Sequence, residues 1–245
     1  MTLIIAIPAE NGVVFASDSQ VTTGAVRATG TKIYRLNDHA VWGASGEVAL
    51  IQRFAEQLGL FPNRTQPLET IRDDLAARVK QAAVSCLAVD FRTQFFQNNP
   101  DALLGLHPGD FLFAECRDAP RILHILTNGT SEWVEGRFAA TGNGELFAHA
   151  LLQKYASRSL SMDQAKLLAY KVIEEAIEVV SFGLGPPIHV WEVTGGKTRQ
   201  ISSAEESALA DSARILREEE VGLLRRLNVQ REGSTVPAEL PAGNA

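Results

Sequence analysis

Three residues near the start of the chain carry side chains suited to nucleophilic catalysis: Thr2, Asp18 and Lys32. A threonine hydroxyl is a poor nucleophile unless a base stands beside it. Once Met1 is removed, the α-amine of Thr2 is such a base, held on the same residue as the hydroxyl, with a reference pKa of about 8. It can take the hydroxyl proton, directly or through one water, and return it to a leaving group. The small side chain at position 2 suits removal of the initiator methionine. Leu3, Ile4, Ile5, Ala6 and Ile7 follow at once as an apolar run, read as a buried strand that clamps the terminus in place.

A base of this kind needs charged partners. Lys32 stands in "GTKIYRL" and Asp18 in "FASDSQ". A lysine ammonium beside the threonine lowers the pKa of both its hydroxyl and its amine. Burying that ammonium is costly without a carboxylate, and Asp18 is the natural partner. The developing oxyanion needs a donor, and a backbone N–H at a Gly-rich strand-to-helix turn supplies one. "GASGE" is such a turn, which makes Gly46 the candidate. Each residue alone has an ordinary structural reading: a small second residue for methionine removal, a turn aspartate, a solvated strand-edge lysine, a tight-turn glycine. Ser45 can equally cap the helix that follows. The joint order favours the catalytic reading.

The elements that must position these groups follow from periodicity. Residues 2–8 read as a strand, "AENG" as an Asn-Gly turn and "VVFASDS" as the returning strand. "QVTTGAVRATG" reads as a polar loop, and "TKIYRLN" and "AVWGASG" as further strands. Helical spacing begins at Glu47 and stops before Pro62 and Pro67. A second helix is expected from about Leu68 to Asn98, with Ile71, Leu75, Val79, Ala82 and Ala83 on one face. "FLFAEC", "RILHIL" and a segment around "EWVEGRFAATG" are strands. Helices over about 145–156 and 162–180 follow, the second entered through Ser159 or Ser161. "IHVWEVTGG" and "KTRQIS" form a last hairpin. Blocks of strands and helix pairs, rather than one-by-one alternation, predict an α+β chain: a four-layer αββα sandwich of two antiparallel sheets. One domain is expected over 1–203, then a charged amphipathic helix over 204–228 and a polar, disordered tail over 229–245.

Composition narrows the function classes. The chain has 245 residues, 45% of them hydrophobic and 21% charged, with a formal charge of −6. That balance argues against a nucleic-acid face, and no run is long enough for a membrane span. The opening run is too short for a signal sequence and lacks a basic flank, so a cytoplasmic protein is expected. Cys86 and Cys116 read as small core residues rather than a bridge or metal site. The five histidines share no metal spacing. "GNGELF" lacks the third glycine of a dinucleotide fingerprint. "WGASGE" lacks the trailing glycine of a serine-hydrolase elbow, which disfavours Ser45 as a nucleophile.

Thr2, "SDSQVTTG", "TKIYRL" and "GASG", in that order, resemble the N-terminal-threonine peptidases of the proteasome β-subunit family. The likeness is best at the start of the chain, and the element order extends it to about residue 200. The resemblance implies an N-terminal nucleophile hydrolase fold and cleavage of peptides or unfolded proteins inside a homo-oligomeric ring, with no cofactor. It implies Thr2 as nucleophile with Asp18 and Lys32 as charged partners, and Gly46 as oxyanion donor. Thr22 would hold the substrate backbone, and Val21 and Ala44 would line the pocket for the side chain before the cleaved bond. An unfoldase partner is left unspecified.

The chain also departs from that family. The segment between Asp18 and Lys32 is slightly shorter. "TGNG" puts Asn143, with Thr141 close by, where the family has a serine. "EVVSFGLGPP" offers Val180 or Ser181, with Glu178 the nearest carboxylate, where the family has an aspartate before a Ser-Gly-Gly turn. These features, with the added C-terminal residues, are similar to bacterial homologue branches such as Anbu or the betaproteobacterial proteasome homologue. The alternative is a non-catalytic ring or scaffold subunit on the same fold. Such subunits carry a helix before the first strand, whereas here the strand follows Thr2 directly.

Overall fold

A computed structural model describes residues 2–23, 26–87, 109–155, 159–179 and 183–232. The opening run forms β1 (Leu3–Ala9), which turns into β2 (Gly12–Ser17). Its side chains divide by period two. Leu3, Ile5 and Ile7 enter one buried cluster and Ile4 and Ala6 enter another. Both faces are covered, so the strand is continuously apolar rather than alternating. The turn itself is Glu10-Asn11, because Ala9 pairs with Gly12. Gly12 therefore belongs to the strand. A Cβ there would lie 2.2 Å from the Val193 carbonyl oxygen of the neighbouring strand.

The segment expected as a polar loop is a two-stranded ribbon, β3 (Gln20–Thr23) with β4 (Val26–Thr29). Its polarity misled because β4 is solvent-exposed, while Val and Thr still favour extended backbone. Then come β5 (Ile33–Arg35) and β6 (Ala40–Gly46). Helix α1 (Val48–Gly59) starts behind Glu47, which makes no side-chain cap. Ser45 thus lies within β6 and caps nothing. Helix α2 (Leu68–Ser85) buries Ile71, Leu75, Val79, Ala82 and Ala83, the face expected. The rest of its expected length, 88–98, lies outside the described residues. The Leu68 N–H donates to both oxygens of buried Glu115, so a carboxylate sits at the positive end of this helix.

Strands β7 (Gly109–Cys116), β8 (Pro120–Leu126), β9 (Ser131–Trp133) and β10 (Ala139–Gly142) lead to α3 (Glu145–Leu152) and a 3₁₀ turn, Gln153–Tyr155. Helix α4 (Met162–Val179) opens on a capping box: the Gln164 N–H donates to Ser161 Oγ, and the Ser161 N–H to Gln164 Oε1. Ser161, not Ser159, is therefore the cap. Strands β11 (His189–Thr194) and β12 (Thr198–Gln200) form the last hairpin. Helix α5 runs Ser203–Glu232, so residues 229–232, expected in the tail, are helical. Residues 233–245 lie outside the described set.

The strands form two five-stranded antiparallel sheets, ordered β10-β1-β2-β11-β12 and β5-β6-β7-β8-β9. Ile4, Phe15, Val41, Leu112 and Ala114 fill the space between them. Leu50 and Phe54 of α1 and Leu75 of α2 pack on the outer face of the second sheet with Trp42, Phe111 and Phe113. Leu168, Val172 and Ile173 of α4 cover the outer face of the first. Charge pairs link helix α5 to α4, Arg217 with Glu174 and Glu178 and Lys171 with Glu220, beside the apolar packing of Leu209. The chain is a mixed α+β sandwich. No helix among the described residues is long and apolar enough to cross a membrane.

Candidate active site

Thr2 immediately precedes β1, a central strand paired on one side with β10 and on the other with β2. A residue so placed inherits the rigidity of two ladders. It is buried, yet it opens onto a cavity of about 240 Å³ shared with Val21, Thr22, Lys32, Ala44 and Gly46. Every residue read from the sequence as nucleophile, oxyanion donor or substrate-binding group therefore lies on one cavity. Asp18 stands behind it, fully buried.

Asp18 is engaged on both oxygens. Oδ1 accepts the Leu3 N–H at 2.9 Å and the Lys32 ammonium at 2.6 Å. Oδ2 accepts the N–H groups of Gln20 at 3.1 Å and Gly185 at 3.2 Å. The carboxylate thus joins the residue after Thr2, the start of the ribbon, the lysine before β5 and the segment before β11. Lys32 is 6% exposed, and burial lowers its pKa below the ordinary lysine value against the opposing pull of Asp18. Its charge survives in a dry site only with carboxylate help.

The open side of the cavity is built from the ribbon and α1. Gln20 Nε2 donates to Thr22 Oγ1 at 3.2 Å. Gly46 ends β6 at a φ of +116°, a left-handed conformation open to glycine, which lets the chain leave the sheet and enter α1. Ala44 is buried and its small side chain leaves room in the cavity. Tyr34 makes one wall, stacked on Trp42 at 4.6 Å, with its hydroxyl donating to the Thr31 carbonyl at 2.7 Å. Glu47, Val48, Ile51 and Gln52 complete the opposite wall. The sequence reading missed these wall residues, although the helical spacing after Gly46 turns its first two turns toward the same end of β6.

A family model described as "Proteasome subunit" matches residues 2–97 and 108–186, well over half of the chain. The chain belongs to the proteasome subunit family. It is 23% identical over 212 residues to proteasome subunit beta 2 of Nitrosopumilus maritimus, spanning 86% of this chain and 94% of that one. It is 26% identical over 198 residues to proteasome subunit beta 2 of Pyrobaculum neutrophilum, spanning 80% and 90%. A bacterial relative, proteasome subunit beta of Mycolicibacterium gilvum, is 25% identical over 195 residues, spanning 76% of this chain and 61% of its own.

Not every residue expected to support the site in this proteasome subunit family member reaches it. Asn143 is exposed in the turn after β10 and makes no hydrogen bond among the described residues. The flanking Gly142 is the residue whose backbone lies against Thr2, and Thr141 beside it is buried. Ser181 and Val180 lie outside the described residues. Glu178 is turned away, pairing with Arg217 of α5 at 2.9 Å. No group of three or more His, Cys, Asp and Glu side chains is arranged for a metal among the described residues.

The two partners of the buried pair are not equivalent. Lys32→Met leaves Asp18 three backbone N–H donors, whereas Asp18→Ala takes away the acceptor of all four. Asp18→Ala is expected to cost about 3–5 kcal/mol of folding stability and Lys32→Met clearly less. Urea denaturation of both variants checks this, and equal losses would contradict it.

Proposed function

We propose that this chain is an N-terminal threonine peptidase on the four-layer N-terminal nucleophile hydrolase fold. The observation that carries the reading is the meeting of Thr2, the Asp18–Lys32 pair and Gly46 at one cavity. Removal of Met1 frees the Thr2 amine. The amine accepts the hydroxyl proton as Oγ1 adds to the substrate carbonyl carbon. The Gly46 N–H donates to the resulting oxyanion. Collapse expels the amine half of the peptide, which takes the proton held by the Thr2 amine, and leaves an ester on Thr2. Water activated by the same amine adds to that ester and releases the acid half, restoring the hydroxyl. Lys32, kept charged by Asp18, favours the neutral amine and stabilises the developing alkoxide.

Thr22 holds the substrate backbone, and Val21 and Ala44 shape the pocket for the side chain before the scissile bond. Family membership supports assembly into a homo-oligomeric ring, in the cytoplasm, with peptides or unfolded proteins as substrates. Residues 1–203 form the hydrolase domain, with α5 an addition available for contacts between subunits. A non-catalytic ring subunit is the second reading, favoured by one observation: Asn143 stands exposed where the family has a supporting serine.

Two measurements separate these readings. Thr2→Ala is expected to lower hydrolysis of fluorogenic peptides by at least about 10³-fold with unchanged assembly, as loss of a nucleophile does; undiminished hydrolysis would rule out the threonine mechanism. The pH profile is the second. The rate rises on the acid side as the Thr2 amine loses its proton. It falls on the alkaline side as Lys32 does, at a pH below the ordinary lysine value of 10.5, because burial disfavours the charged ammonium. A kcat/KM that stays flat to pH 10.5 would remove Lys32 from the mechanism.

A further inference from the structure

The nucleophile and the oxyanion donor belong to different sheets. Thr2 leads into β1 of the first, and Gly46 ends β6 of the second. Among the described residues no backbone ladder joins these sheets, so their separation at this point has to be set by side chains. Ser45, the neighbour of Gly46, is buried, and its Oγ lies 2.7 Å from the Oγ1 of fully buried Thr141. Thr141 sits on β10 opposite Ile4, with Gly142 opposite Leu3. Thr141 Oγ1 in turn donates to Asp110 Oδ2 at 3.4 Å, and Asp110 is the β7 residue paired with Ser45. Since the single Thr141 proton goes to the carboxylate, Ser45 donates to Thr141.

A second observation places this chain against the reacting residues. Gly142 is wedged between them: a Cβ built on it would stand 2.1 Å from the Thr2 carbonyl oxygen and 3.3 Å from Ser45 Cβ. Its φ of +100° confirms a backbone shaped for that close approach. The Ser45–Thr141 bond therefore spans the sheet-to-sheet gap directly beneath Thr2 and Gly46.

We infer that Ser45, Thr141 and Asp110 are positioning residues, a hydrogen-bonded chain, buried at Ser45 and Thr141 and half-buried at Asp110, that holds the oxyanion donor at its working distance from the Thr2 hydroxyl. The inference rests on the peptidase reading above. None of the three touches the substrate. They act through Gly46 and β1, and a misplacement of about 1 Å between reacting groups can cost about 10²-fold in rate. The carboxylate at the far end polarises both hydroxyls, so the chain is stiffer than a lone Ser–Thr contact.

The test uses the full-length processed protein with Ser45→Ala, Thr141→Val, their double variant and Thr141→Ser. Ser45→Ala and Thr141→Val are each expected to lower kcat by about 10- to 100-fold while KM stays within about threefold, since ground-state binding is untouched. The double variant should be no slower than the worse single one, because both break the same bond. Thr141→Ser, which keeps the hydroxyl, should regain most of the lost kcat. Ser45→Ala removes a single oxygen, and it alone reads the same bond if Thr141→Val fails to fold. An unchanged kcat in Ser45→Ala, or a rise in KM with kcat preserved, overturns the inference and leaves the peptidase reading standing. A wild-type protein without Thr2-dependent hydrolysis overturns both.

Discussion

A carboxylate with no access to water has to be satisfied by the protein on every side, and Asp18 meets that demand with one neighbouring donor and three that it draws in from distant pieces of chain. Its partners come from β1, the ribbon, the lysine before β5 and the glycine before β11. Burial of an isolated carboxylate costs several kcal/mol, so none of these donors is free to drift once the site is dry. The consequence for chemistry is geometric. The Leu3 N–H is fixed, Thr2 follows from it, and the lysine charge is delivered to the same spot. Stability and the alignment of the groups at the cavity thus share a single cause.

The sheets supply the rest of the rigidity. Thr2 sits at the head of a strand that is hydrogen-bonded on both edges and covered on both faces, so its backbone position is constrained from four sides. The opposing sheet carries Gly46 at the end of β6, where a left-handed glycine turns the chain into α1. Two stiff sheets separated by an apolar layer would still be able to slide. Polar contacts between them, Asp18 with Lys32, Ser45 with Thr141 and Arg35 of β5 with Thr198 of β12, are directional where apolar packing is not, and the first two lie at the end that carries the cavity.

Much of this was legible in the chain itself. An unbroken apolar run directly after a threonine, with Asp18, Lys32 and Gly46 in order behind it, is a local pattern, and each of these residues faces or backs the same cavity. The buried face of α2 followed from simple spacing. What stayed hidden was of two kinds. Exposed elements such as the β3–β4 ribbon lack the burial that makes periodicity visible. Long-range partners cannot be read at all: Gly185 reaches Asp18 from 167 residues away, and Thr141 reaches Ser45 from 96. The exposure of Asn143 was hidden for a related reason, since a match in sequence pattern does not fix how deeply a turn residue is buried.

The central claim is that the hydroxyl and the α-amine of one residue act together. An α′,β′-epoxyketone peptide reads this directly, because a hydroxyl adds to its ketone and a neighbouring amine opens its epoxide, closing a ring only on a 1,2-amino alcohol at a chain terminus. Intact and peptide mass after this treatment should show a chain lacking Met1, carrying the whole probe with no leaving group lost, on the peptide that begins at Thr2. A chain that hydrolyses peptides while still bearing Met1, or that takes the probe at any other residue, would contradict the account.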